Sequence, residues 1–240
     1  MLTLSHITKR FSEKTAVDDV SFSIDPGEIF SLIGSNGSGK TTLLKMIVGL
    51  LRPDQGTVTV GQDDTVKEPL KTKSLIGYIP DEPATWPGMT GEEFLHFVGA
   101  LYGVDENRRK QKVQELLPLF RIDGSEMDDF DGYSRGNKQK FSILAALLHE
   151  PKLLLIDEPI VGLDPESALV AKDIFTGFAE QGGSVLLVTH TLPVAETISN
   201  RIGILKHGKL IEAGSLTEIR ERAQQDPSAS LETIYNIITA

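Results

Sequence analysis

Short apolar runs rich in β-branched residues recur along the chain at 2–7, 20–24, 29–33, 57–60, 75–79, 153–156, 185–189 and 202–205, separated by stretches with helical spacing. Strands alternating with helices predict a mostly parallel sheet flanked by helices. The runs ending at Ile33, Ile156 and Thr189 are nearly all apolar, as expected of central strands covered on both faces. The first two runs read instead as an antiparallel side sheet.

Between Ile79 and Leu153 the pattern turns helical. Thr90-Gly91-Glu92-Glu93 has the spacing of a capping box, ahead of Phe94, Phe97, Val98 and Leu101 on one face. A second helix is predicted to carry Val113, Leu116, Leu117 and Phe120. This block, about 84–150, reads as a helical subdomain inserted into an α/β core. From about 215 to 240 a helical tail is expected, two helical patterns separated by the polar break Gln224-Gln225-Asp226-Pro227-Ser228. Its last pattern, 230–238, has apolar residues at helical spacing, and packing on the chain's own core is the plainest expectation.

Length and composition narrow the class. At 240 residues, with 40% hydrophobic and 24% charged, the chain fits one folded α/β domain with appendages, not a disordered segment. The longest apolar stretches, such as 143–148 and 185–188, fall far short of the roughly 20 residues that cross a bilayer. The amino terminus has neither a basic region followed by an apolar run nor a small-residue cleavage site, so a cytoplasmic location is expected. No cysteine is present, which excludes disulfides and thiolate zinc sites. A net charge of −10 argues against broad nucleic-acid binding, which needs clustered Lys and Arg.

The strongest chemical signal is Gly34-Ser35-Asn36-Gly37-Ser38-Gly39-Lys40-Thr41, which fits G-x-x-x-x-G-K-[ST]. It follows the run 29–33 and precedes a helical pattern with Leu43, Leu44, Ile47 and Val48. Strand, loop and helix thus stand in the order that curls backbone N–H groups around phosphate oxygens, with a helix dipole behind them. Lys40 is expected to reach the β- and γ-phosphates and the Thr41 hydroxyl to ligate Mg²⁺, with Thr42 adjoining. A Gly/Ser-rich turn that binds nothing would leave both flanks unexplained. Further on, Leu153-Leu154-Leu155-Ile156-Asp157-Glu158-Pro159 places two carboxylates at the carboxyl end of a buried strand. Asp157 suits Mg²⁺ and Glu158 suits orienting or deprotonating an attacking water; equally, Asp-Glu-Pro can simply end a strand.

Tyr133-Ser134-Arg135-Gly136-Asn137-Lys138-Gln139-Lys140 lies shortly before the acidic pair and opens a helix with Phe141, Leu144 and Leu148 on one face. Taken together these motifs resemble the ABC ATPase family over nearly the whole chain. The family's signature, Leu-Ser-Gly-Gly-Gln in its commonest form, binds the γ-phosphate of ATP held by the opposite subunit. Ser134 and Gly136 keep their places there, and Tyr133, Arg135 and Asn137 depart; read alone, Ser134 could be a helix cap.

The resemblance implies a P-loop fold of the ABC type across 1–240: a mostly parallel central sheet, an antiparallel side sheet and the inserted helical subdomain. It further implies that Phe11 stacks on adenine, although an aromatic after a strand is more often core. His190 becomes the switch histidine at the γ-phosphate, and Asp164 belongs to the loop linking two active sites or, on its own residues, N-caps a helix with Pro165 at its first position. Where the family usually has a glutamine that senses Mg²⁺, this chain has Ile79-Pro80-Asp81-Glu82, and Asp81 is the expected equivalent. Two subunits, expected to be identical copies, close head to tail over two ATP molecules in this resemblance and power a separate transmembrane permease from the inner face of the cell membrane. The acidic residue at 81 and the run Lys138-Gln139-Lys140 resemble bacterial exporter subunits. The competing expectation is a soluble ATPase of the same fold acting in DNA repair or on ribosomes.

Overall fold

The computed structural model describes residues 1–83, 86–122 and 125–240, and for Ser125 the backbone alone. A hairpin opens the chain, β1 (Leu2–Phe11) and β2 (Lys14–Ile24), followed by β3 (Ile29–Ile33), α1 (Lys40–Ile47), β4 (Gln55–Val60), β5 (Asp63–Asp64), α2 (Pro69–Ser74) and β6 (Ile76–Ile79). Helices α3 (Gly91–Leu101), α4 (Glu106–Leu116) and α5 (Arg135–Leu147) come next, then β7 (Leu153–Asp157), α6 (Pro165–Glu180), β8 (Ser184–Thr189) and α7 (Leu192–Ile198). The chain ends with β9 (Arg201–Lys206), β10 (Lys209–Gly214), α8 (Leu216–Arg222) and α9 (Leu231–Thr239).

Two sheets form. The larger has the order β10-β9-β3-β8-β7-β6, and the smaller β2-β1-β4-β5. In the larger sheet β9, β3, β8, β7 and β6 run parallel, and only β10 pairs antiparallel, at the edge. Every residue of β3, β7 and β8 is buried, as their apolar runs predict.

The side sheet is larger than the apolar runs suggest. β1 and β2 extend through polar residues on their exposed side, and β4 joins β1 rather than the central sheet. Leu75 falls outside β6 because Pro69 at a helix start opens α2, and Leu75 caps its end. β10 was not foreseen: Lys209-Leu210-Ile211-Glu212 carries too much charge to read as a strand. It folds back through His207 and Gly208, both at positive φ (49° and 81°), the requirement of a two-residue hairpin turn.

The insertion predicted at about 84–150 includes residues 84, 85, 123 and 124, which lie outside the described residues. Thr90 closes the expected capping box: its Oγ accepts from the Glu93 amide at 3.2 Å, and Glu93 accepts from the Thr90 amide at 2.8 Å. The second helix stops earlier than expected. α4 ends at Leu116 and Leu117–Phe120 is a 3₁₀ turn, because Pro118 can neither donate an amide bond nor fit an α-helical interior. Phe94, Phe130, Phe141 and Tyr133 make an aromatic core between these helices and the sheet face that carries Ile79, Leu154 and Ile156. The opposite face packs on α1 and the side sheet. At the β9 end, Leu231 and Ile234 of α9 are fully buried against Ile33, Ala195, Ile202, Ile204 and Ile219, so the tail packs on its own chain. No helix among the described residues is long and apolar enough to cross a membrane.

Candidate active site

Because β3, β6, β7 and β8 are parallel, the loops leaving their carboxyl ends meet at one edge of the sheet. They border a cleft of about 590 Å³. Asn36, Gly37, Gly39, Lys40, Thr41 and Thr42 line it from the glycine-rich loop, with Asp81, Asp157, Glu158 and His190 from the other loops. Phe11 and Arg135 border it as well. A larger cavity, of about 790 Å³, lies among α4, α6 and the end of α5 and is lined by none of the predicted site residues.

Tight backbone packing shapes the glycine-rich loop. A side chain at Gly34 would place its Cβ 2.3 Å from the Leu205 carbonyl oxygen, and one at Gly39 (φ +113°) would meet the Ala16 carbonyl at 2.5 Å. Lys40 curls back inside the loop, donating to the carbonyls of Gly34 at 2.7 Å and Ser35 at 3.0 Å. Burial lowers its pKa, while Glu158 and Asp157 oppose that shift. Gly34, Ser35 and Ser38 shape the loop without lining the cleft. The Ser38 hydroxyl is buried without a partner among the described residues, an orphaned polar atom inside the loop.

The acidic pair splits into two environments. Asp157 ends β7, and burial first, then the charges of Glu158 and Asp81, push its carboxyl up to about 6. Glu158 takes a left-handed backbone conformation (φ 49°), uncommon for a side chain of its size, and its amide donates to the Val188 carbonyl at 2.9 Å. This turn aims its carboxylate at β8. Oε2 accepts from the Thr189 hydroxyl at 2.8 Å, and Oε1 accepts from the His190 amide at 2.7 Å and pairs with His190 Nδ1 at 2.5 Å. Facing a carboxylate, Nδ1 is the donor, and the other ring nitrogen is left for a ligand. The Glu158 side chain is buried while that of His190 is largely exposed to the cleft.

The Ser134 segment stands apart. Ser134 Oγ caps α5, accepting from the Asn137 amide at 3.2 Å, and Ser134, Gly136 and Asn137 do not line the cleft. Gly136 packs so closely on the loop after β7 that a Cβ there would lie 2.6 Å from the Gly162 carbonyl oxygen. Asp164 is the N-cap of α6: its oxygens accept from the Ser167 amide at 2.9 Å and hydroxyl at 2.6 Å, which pull its pKa down to about 2. Lys140 reaches it at 3.5 Å. Phe11 ends β1 about half exposed, with Lys9 Nζ 5.6 Å from the ring centroid, so it is not a core residue. Lys14, Ala16 and Val161 also border the cleft. No motif marked them, since they come from the side sheet and a loop whose approach only the fold creates.

The cleft's donors fit Mg²⁺. Thr41, Asp157 and Asp81 offer only oxygens, which suit a hard cation. Among the described residues no group of three His, Cys, Asp or Glu is placed to hold a metal, and Mg²⁺ needs none, since it takes one or two protein ligands and completes its shell with phosphate and water.

Known proteins resemble this chain in sequence and in fold. The sequence model of the ABC transporter family matches residues 17–161. Linearmycin resistance ATP-binding protein LnrL of Bacillus subtilis is 37% identical over 226 residues, which cover 94% of this chain and 73% of LnrL. A solved ATP-binding subunit of an ABC transporter superposes with a TM-score of 0.94 at 32% identity, over 100% of both chains. The cassette MJ0796, solved as a dimer in a post-hydrolysis state with ADP and Pi, gives 0.82 at 26% identity, over 90% of this chain and 99% of that one. With the family model matching 17–161, more than half of the chain, and relatives above 30% identity along nearly all of it, the chain belongs to the ABC transporter family, as a subunit that binds and hydrolyses ATP.

Proposed function

We propose that the chain is the motor of an exporter, working on the cytoplasmic face of the cell membrane as a pair of identical cassettes bound to a separate permease. One observation carries the paired arrangement: Lys40, Thr41, Asp157, Glu158 and His190 border one cleft, whereas Ser134 lies outside it. A site that needs both is completed only by a second copy, closing head to tail. Resistance proteins such as LnrL support the direction of transport. In this reading residues 1–240 act as one cassette, with the insertion at about 84–150 receiving the permease and the tail at 215–240 bracing the core.

Phe11 stacks on the adenine and the backbone of residues 34–41 cradles the phosphates. Lys40 exchanges its carbonyl partners for phosphate oxygens, a trade of neutral acceptors for charged ones. Thr41, Asp157 and Asp81 are the residues that would hold Mg²⁺, and the ion would supply neutralisation of the phosphate charge. Glu158 orients the attacking water and accepts its proton, held in place by Thr189 and His190. Toward the γ-phosphate His190 is a donor with a proton on each ring nitrogen, Nδ1–H on Glu158 and Nε2–H on the phosphate oxygen. Ser134, Gly136 and Asn137 face the partner's nucleotide, Arg135 of the same segment turns instead to this chain's own cleft, and Asp164 lies where the two sites communicate.

Tagging the chain in its own host and purifying it from detergent-solubilised membranes tests this reading. A stoichiometric polytopic membrane protein is the expected companion. Recovery only from the soluble fraction, with ribosomes or DNA-repair proteins, would overturn it.

A further inference from the structure

The two charged departures from the commonest family pattern, Asp81 and Arg135, meet in space. Arg135 Nη2 donates to Asp81 Oδ1 at 2.9 Å and to the Asp81 backbone carbonyl at 3.2 Å. The Arg135 stem lies over Gly162, where an added Cβ would sit 3.3 Å from Arg135 Cδ. One side chain in the first turn of α5 therefore touches both the loop after β6 and the loop between β7 and α6.

Charge gives the contact a purpose. Asp81, Asp157 and Glu158 bring three carboxylates to a cleft suited to a polyphosphate, and Lys14, Lys40 and Arg135 are the cations that line it. Of these, Arg135 is the one bonded to Asp81. A glutamine at 81 and a glycine at 135, as in the commonest form, would need no such pairing, so either departure alone would leave a charge without its counterpart. Both side chains are about half exposed, and pairs so placed add little to global stability, which makes the effect local.

We propose that Arg135 and Asp81 act as one unit, a charge-paired latch in which Arg135 cancels the negative charge that Asp81 brings to the nucleotide and holds the start of α5, with Ser134, against residues 81 and 162. Arg135 is a positioning residue for ATP, acting through Asp81. The proposal rests on the cleft being the ATP site.

A double-mutant cycle tests it, with the native chain, Arg135→Ala, Asp81→Asn and the double variant each measured for ATP affinity by calorimetry and for urea unfolding without nucleotide. Arg135→Ala is expected to weaken ATP binding about two- to five-fold, and adding Asp81→Asn should recover most of that loss. Arg135→Lys, which keeps the charge, should retain more affinity than Arg135→Ala. An undiminished loss in the double variant, or no loss in Arg135→Ala, would overturn the latch. Urea unfolding checks that each variant folds; if the native chain bound no ATP, the reading of the cleft would fall and the latch with it, whereas native binding with losses that simply add in the double variant would overturn the latch alone.

Discussion

Replacing Glu158 by Gln separates the chemistry of the cleft from its architecture, because the carboxylate has structural partners that can be counted. Oε1 serves the His190 amide and Nδ1, and Oε2 serves the Thr189 hydroxyl. A glutamine that keeps its oxygen on His190 retains the first two contacts as neutral bonds. Its amide then points at the Thr189 hydroxyl, which must turn its proton away while still accepting from the Thr191 amide at 3.0 Å. One buried hydroxyl proton without an acceptor, plus the weakening of charge-assisted bonds, costs about 1–3 kcal/mol of stability. Losing a general base costs about 10²–10⁴ in turnover, equivalent to about 3–5 kcal/mol in the barrier. The variant should therefore melt a few degrees lower and bind ATP as the native chain does, yet release phosphate at least about a hundred-fold more slowly. Phosphate release, ATP titration and size-exclusion chromatography with ATP provide the readouts, the last expected to show a trapped dimer. Turnover within a few-fold of native would refute the assignment of Glu158 as the base.

Lys40→Ala removes an ammonium that has only carbonyl partners to give up, so ATP affinity should fall about ten- to a hundred-fold by equilibrium titration; unchanged affinity would count against the phosphate cradle. Asp157, with its pKa pushed up to about 6, is protonated more readily in the fold than in the unfolded chain. Its contribution to the nucleotide-free fold is accordingly greatest below its ordinary value near 3.8 and lost as pH rises through about 6. Mg²⁺ needs the ionised form, so the rise in melting temperature given by Mg²⁺ and ATP should shrink as pH falls through about 6; a constant rise from pH 5 to 8 would contradict the metal role. Gly34→Ala drives a Cβ to 2.3 Å from the Leu205 carbonyl and should cost about 1–3 kcal/mol, read as a melting temperature about 2–12 °C lower.

What could be read from sequence was what sequence spacing encodes. The glycine-rich loop between β3 and α1, the capping box at Thr90, the cap at Ser134 and the buried central strands each depend on neighbours a few residues away. The early end of α4 was also legible in Pro118, although the apolar spacing through Phe120 masked it. Contacts across the fold were not. Glu158 and His190 stand 32 residues apart and Asp81 and Arg135 54 apart, and no periodicity connects either pair. β10 was hidden for a different reason: its polar residues are tolerated because it lies at the sheet edge, where one side needs no apolar cover.

The position of β6 bears on how the molecule assembles and loosens. β6 closes the sheet opposite β10, and its partner β7 is distant in sequence, Ile76 facing Leu153. At Gly77 the missing side chain lets the Ala146 carbonyl of α5 approach to where a Cβ would stand 2.4 Å away. A strand keyed this closely to the insertion, and held by the sheet along one side, is built to come and go with the helices rather than with the central ladder. The long closure between β6 and β7 is then made late, after α3 to α5 have shortened it. Native-state amide exchange should find the protection of β6 tracking α5 and lying below that of β7 and β8; equal protection in all three strands would mean that sheet and insertion form a single cooperative unit.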